Sequence, residues 1–182
     1  MNIDKIVENV CFLKNKYQTN DPFLICEAMG IAVELQSMGE KQDSCKGFVT
    51  RMCGIDIVTI NSDLIDRFQL FACAHELGHI ITNPKRKTLS YSDNNYFDTT
   101  NEDEKEANFF AAELLLNDDE VMEAVNEELT YTKAASILRV PAELLDLKLR
   151  IMCDKGYKLI PPMIALGDCF GNIEMKYKDD FE

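Results

Sequence analysis

The sequence predicts an α+β fold, mostly helical, with a small β-sheet beside one helix that carries both histidines of the chain. Three observations predict it. Apolar residues recur at helical spacing in segment after segment. Two short β-rich runs, Gly47–Arg51 and Ile55–Ile60, are separated only by Met52-Cys53-Gly54, the pattern of a hairpin. The second run then feeds Phe68–Asn83, whose centre reads His75-Glu76-Leu77-Gly78-His79. A length of 182 residues with 46% hydrophobic content suits one domain, residues 1–182, with a real core.

Taken in order, Ile3, Ile6, Val7, Val10 and Leu13 mark an amphipathic helix from Asp4 to about Tyr17. Asn20 or Asp21 caps a second, with Pro22 at its first position and Gly30 just past Met29. Ile31–Leu35 reads as a strand, and a polar loop from Ser37 to Lys46 leads to the hairpin. For the histidine helix, Asn61, Ser62 or Asp63 supplies the cap and Pro84 the stop. Gly78 inside that helix costs about 1 kcal/mol relative to Ala, so another element is expected to pack close against it. Asn83 to Asn101 is a polar loop, long enough to be functional or mobile.

Glu102 to Asn117 is a helix with an acidic start, as the macrodipole favours. Asp118 and Asp119 open another amphipathic stretch. Thr130 begins a short helix ending near Arg139. Pro141 opens a further one that buries Leu144, Leu145, Leu147 and Leu149, with Gly156 past its end. Met163–Leu166 and Ile173–Tyr177 are expected to close the chain as a hairpin.

Several function classes are excluded. No apolar run approaches the roughly 18 residues of a membrane span. The start, Met1 to Lys5, lacks the features of a signal peptide, and seven cysteines form no C-x-x-C pair, so a reduced cytoplasmic setting is expected. A formal charge of −13 argues against nucleic acid as a direct partner. Residues 130–150 faintly resemble a helix-turn-helix, yet Lys133, Arg139, Lys148 and Arg150 are opposed there by Glu143 and Asp146. That segment reads as packing.

Chemistry concentrates on the histidine helix. Residues i and i+4 share a face, with Cβ atoms about 5–6 Å apart. His75 and His79 can therefore converge on one metal ion at about 2.0–2.1 Å each. Glu76 can lie beside that ion as a base and not as a ligand. A catalytic zinc site commonly has three protein ligands and one open position. With no third histidine, the remaining ligand must be a carboxylate from another helix. Glu104 shares a face with Ala107, Asn108 and Ala111, where small residues permit close helix approach. Asn108 is spaced to accept a hydrogen bond from a liganding histidine. Glu102 and Glu106 form a rival pair on the adjacent face, and spacing leaves them open.

The stretches Ile60-Asn61, Phe71–His79 and Glu104–Leu116, with a weaker continuation over Tyr131–Leu145, resemble the ImmA/IrrE-type zinc metallopeptidases across about residues 45–150. The resemblance implies a zincin-like fold and an endopeptidase activity. It implies His75, His79 and Glu104 as zinc ligands, Glu76 as the base and Asn108 as support for a ligand. Members similar to this chain occur in mobile genetic elements, where some act as anti-repressors on helix-turn-helix, DNA-binding repressors. The departure is Asn117-Asp118, where relatives usually have Pro soon after the Leu run. Tyr91 and Tyr96 of the polar loop are candidate oxyanion donors, and the Gly47–Ile60 hairpin is a candidate surface along which a protein substrate adds as a strand. The competing class is a non-catalytic module in which zinc braces two helices while another surface binds a regulator.

Overall fold

Side-chain caps start the first two helices. In the computed structural model, which describes residues 2–41, 44–84, 90–91, 101–126 and 131–159, Asn2 accepts from the Lys5 amide and opens α1 (Ile3–Tyr17). Asp21 accepts from the Phe23 and Leu24 amides, Pro22 takes the first position, and α2 (Pro22–Met29) ends on Gly30 at φ 73°. Both follow the local signals in the sequence.

The sheet has the order β1-β3-β2-β4. Its strands are β1 (Ala32–Gln36), β2 (Gly47–Met52), β3 (Ile55–Asn61) and β4 (Ser90–Tyr91). β2 and β3 form the expected antiparallel hairpin, closed by Cys53 and Gly54 at φ 52° and 82°. Left-handed backbone at both turn residues matches the twist of the flanking strands. β1 joins β3 in parallel, from Ala32 opposite Ile57 to Gln36 opposite Asn61. β3 is thus paired on both sides. β2 is likewise paired on its outer side, though only where Phe48 and Val49 meet Tyr91 and Ser90 of β4.

The histidine helix, α3 (Asp66–Thr82), is the centre of the core. Every residue from Phe71 to His79 is buried. Its start differs from expectation. Ile65 is the N-cap and makes no side-chain capping bond, because the expected caps are engaged elsewhere. The Asn61 amide accepts from the Met38 and Asp63 backbones and donates to the Gly39 and Cys45 carbonyls. Asp63 accepts from the Ser37 hydroxyl and the Gly39 amide. These side chains stitch the preceding loop to the end of β3.

α4 (Glu102–Leu115) runs against α3, and its own start is capped by Asn101. α5 (Asp118–Asn126), α6 (Tyr131–Leu138) and α7 (Ala142–Asp154) follow. α7 buries the four expected leucines, but also Asp146 and Lys148. A helix enclosed to this degree cannot enter a DNA groove. Lys148 is committed inward and Arg150 pairs with Asp146 at 2.7 Å, so the helix-turn-helix likeness is packing. Among the described residues no helix is long and apolar enough to cross a membrane. The terminal hairpin expected over 163–177 lies outside the described residues.

Lys148 sits in a buried ion network that the sequence did not announce. Its ammonium lies 2.6 Å from Glu113 and 2.5 Å from Asp118, while Lys155 meets Glu113 at 2.6 Å and Asp118 at 2.9 Å. Lys14 of α1 donates to the Glu113 carbonyl at 2.8 Å. Four helices are joined at the far end of α4. Glu113→Gln is expected to cost about 3 kcal/mol, the low end for breaking a buried pair, because Asp118 still faces Lys148. Urea unfolding of the variant checks this, and a loss below 1 kcal/mol would contradict it.

Candidate metal centre

Helical spacing places His75 and His79 one turn apart on α3, with relative exposures of 0% and 2%. Their rings meet edge to face, centroids 4.7 Å apart, and the two Nε2 atoms are 3.0 Å apart. Glu104, in the first turn of α4, aims its carboxylate at both. Oε2 is 3.1 Å from His75 Nε2 and Oε1 is 3.4 Å from His79 Nε2. One ligand atom from each residue lies within 4.8 Å of the other two.

The helices can share this point because of Gly78. A Cβ placed there would stand 3.0 Å from Ala107 Cα, 3.1 Å from the Ala107 carbonyl oxygen and 3.2 Å from Phe110 Cβ. The close packing expected from an interior glycine is therefore α4 itself, in backbone contact with α3. Ala107 and Ala111 are fully buried along the contacting helix. At the other end of the crossing, Asn83 Nδ2 reaches Asp103 Oδ2 at 3.4 Å and ties the end of α3 to the start of α4.

Asn108, one turn beyond Glu104, lies with Oδ1 2.9 Å from His75 Nδ1. An amide oxygen only accepts, so Nδ1 carries the proton and the Nε2 lone pair points at His79 and Glu104. Burial pushes the His75 pKa down to about 4, against the upward pull of Glu104, so the ring is neutral near pH 7. For Glu104, burial would raise the carboxyl, but the His75 and His79 rings beside it outweigh that and hold it well below the usual carboxylate range. A neutral nitrogen lone pair and a carboxylate oxygen 3.1 Å apart repel unless a cation stands between them. The donor set fits a divalent metal: two imidazoles and one carboxylate suit zinc.

The structure thus brings together four of the residues expected from sequence: His75, His79, Glu104 and Asn108. Glu76 is fully buried in the same turn of α3. The rival acids separate from the site. Glu102 is exposed and pairs with Lys105 at 2.9 Å, and Glu106 is outside the cluster whose ligand atoms converge. Tyr91 lies on β4 opposite Phe48. Its side chain, and Tyr96 altogether, fall outside the described residues. Sequence reasoning missed the Asn83–Asp103 contact, whose only local signal is an Asn ahead of the stop at Pro84.

Asn108→Ala is expected to keep the fold and weaken metal affinity about 10- to 100-fold, as loss of a ligand's outer partner typically does. Competition with a chelating dye measures it. Unchanged affinity would show that His75 is oriented by other means.

Residues 26–150 match the model of a peptidase family described as IrrE N-terminal-like domain. The match begins within α2, earlier than the motifs alone indicate, and runs through most of α7. A protein named "Uncharacterized immunity region protein 2", from Bacillus phage phi105, is 34% identical over 136 residues. That alignment covers 75% of this chain and 84% of the phage protein. With the family model matched over 125 of the 182 residues and the phage relative alongside, the chain belongs to the IrrE N-terminal-like domain family of peptidases.

Proposed function

We propose that this chain is a zinc-dependent endopeptidase of the cytoplasm, acting as one domain. Its substrate is a regulatory protein such as a helix-turn-helix repressor of a mobile genetic element. The observation that carries the reading is the convergence of two histidine nitrogens and a carboxylate on one point. The phage relative's name, an immunity region protein, supports the choice of substrate.

In this reading His75, His79 and Glu104 are the residues that would hold the ion. Zinc held there would supply Lewis acidity, bringing the pKa of a water from 15.7 to about 7 and polarising a carbonyl. Glu76 accepts the proton of the attacking water and returns it to the leaving amine. Asn108 keeps the His75 ring turned so that Nε2 remains the ligand. Tyr91 or Tyr96 donates to the developing oxyanion. An extended substrate segment adds along β2 beyond its two-residue pairing with β4, since β3 is paired along both of its edges.

The test is co-expression with candidate repressors and mapping of new termini by mass spectrometry. Fragments are expected with zinc, are lost on chelation with 1,10-phenanthroline, and return when zinc is restored. Stoichiometric zinc with no fragment under any condition would sink the peptidase reading and favour a zinc-braced binding module.

A further inference from the structure

In the strand order β1-β3-β2-β4, β1 stands at one margin of the sheet, and among the described residues nothing pairs with its outer side. This margin lies across β3 from β2, about 10 Å away at the usual strand spacing. It is therefore distinct from the edge along which a substrate is proposed to add. One hydrogen bond fixes the direction of its main-chain groups. The Gln36 carbonyl accepts from the Ser62 amide at 3.0 Å, on the β3 side. These groups alternate along a strand, so Ala32 and Glu34 also turn theirs to β3, while Val33 and Leu35 turn theirs outward. The open edge presents the N–H and C=O of two residues about 6.6 Å apart.

The side chains beside that edge differ by face. Register sets Val33 and Leu35 on the face of Val58 and Ile60, both of which are buried in the core. Val33 is half-buried there, yet Leu35 is 57% exposed, an apolar shoulder that the sheet leaves uncovered. Glu34 lies on the opposite face, alongside Thr59. It is exposed, and among the described residues no ion pair engages it.

We infer that β1 takes on a further strand from a partner protein, an extended segment in which apolar and basic residues alternate. Its main chain pairs with Val33 and Leu35. Its apolar side chains cover Leu35 on the core side, and a lysine or arginine stands opposite Glu34 on the other. In strand addition the main-chain bonds supply affinity and the alternate side chains supply specificity. The −13 charge of the chain steers a basic segment toward it. A second copy fits poorly. Setting Val33 of one copy against Leu35 of the other brings their two Glu34 side chains opposite each other, a repulsive cross-strand pair. A charge on an edge strand blocks like strands in this way, and a segment of opposite charge escapes the block.

The probe is a short fluorescein-labelled peptide alternating valine with lysine, and anisotropy with the full chain reads its binding. Equal binding to zinc-loaded and 1,10-phenanthroline-treated protein is expected, whether or not the chain cleaves peptides. Loss on chelation would move the probe to the metal centre and overturn the assignment to β1. The same peptide N-methylated at its valines keeps its charges and side chains but loses the main-chain donors. It should bind on the order of tenfold more weakly, and equal binding would reduce the effect to charge attraction and overturn the proposal. Glu34→Lys, a change at an exposed position, is expected to keep its circular dichroism and metal content. It should bind the probe on the order of tenfold more weakly and prefer a peptide with glutamate in place of lysine. Leu35→Pro removes an outward N–H, which an edge strand tolerates because that donor faces away from the sheet, and it too should lose the probe. Wild-type binding by Glu34→Lys overturns the proposal, however the proline variant folds. Self-association of the wild type in sedimentation, abolished by Leu35→Pro, would overturn it in favour of a second copy.

Discussion

Glu76→Gln is expected to bind zinc with wild-type stoichiometry and to unfold at the wild-type temperature, while cleaving its substrate about 10²- to 10⁴-fold more slowly, the span attributed to a general base. Glutamine has the shape of glutamate, so a fully buried site accepts it without a cavity. What it lacks is a basic oxygen that can take a proton from water. Glu104→Gln is the contrast. Glu104 reaches both histidines, so neutralising it removes ligand charge, and metal content should fall before any rate is measured. A Glu76→Gln enzyme that cleaves at the wild-type rate would remove Glu76 from proton transfer. One that loses its zinc would make the residue a ligand or a structural support.

The two residues differ in how far sequence could read them. His75 and His79 are legible because four residues of helix fix their relation whatever the rest of the chain does. The caps at Asp21 and Gly30 are legible for the same reason. Glu104 is not, since its role depends on where α4 crosses α3. Residue patterning alone left Glu102 and Glu106 standing until the resemblance to known peptidases pointed to it. Gly78 gave a true but incomplete signal, a cost without the neighbour that explains it.

Lys148 gave none. Flanked by Leu147 and Leu149, it looks like the solvent side of an amphipathic helix, and its partners Glu113 and Asp118 are far away in the chain. The expected caps Asn61 and Asp63 misled because capping residues are equally suited to bridging a loop. Here tertiary contacts from Ser37, Met38 and Gly39 claimed them.

Gly78 also yields the sharpest mechanical prediction. Helix propensity alone says Gly78→Ala should stabilise by about 1 kcal/mol. The contacts say otherwise, because the new methyl would meet the Ala107 Cα at 3.0 Å and the Ala107 carbonyl oxygen at 3.1 Å. Backbone atoms cannot rotate away, so α4 must move and carry Glu104 with it. The Ala variant is therefore expected to lose about 1 kcal/mol net and Gly78→Val about 3 kcal/mol, within the usual cost of overpacking. Zinc affinity should fall on the order of tenfold or more in the Val variant, since a site tolerates only about 0.5 Å of displacement among its groups. Combining either change with Ala107→Gly should restore little, because the obstructing atoms are main chain and survive that substitution. Stabilisation of the Ala variant with unchanged zinc uptake would mean that the two helices are not held at backbone contact, and that Glu104 reaches the histidines with room to spare.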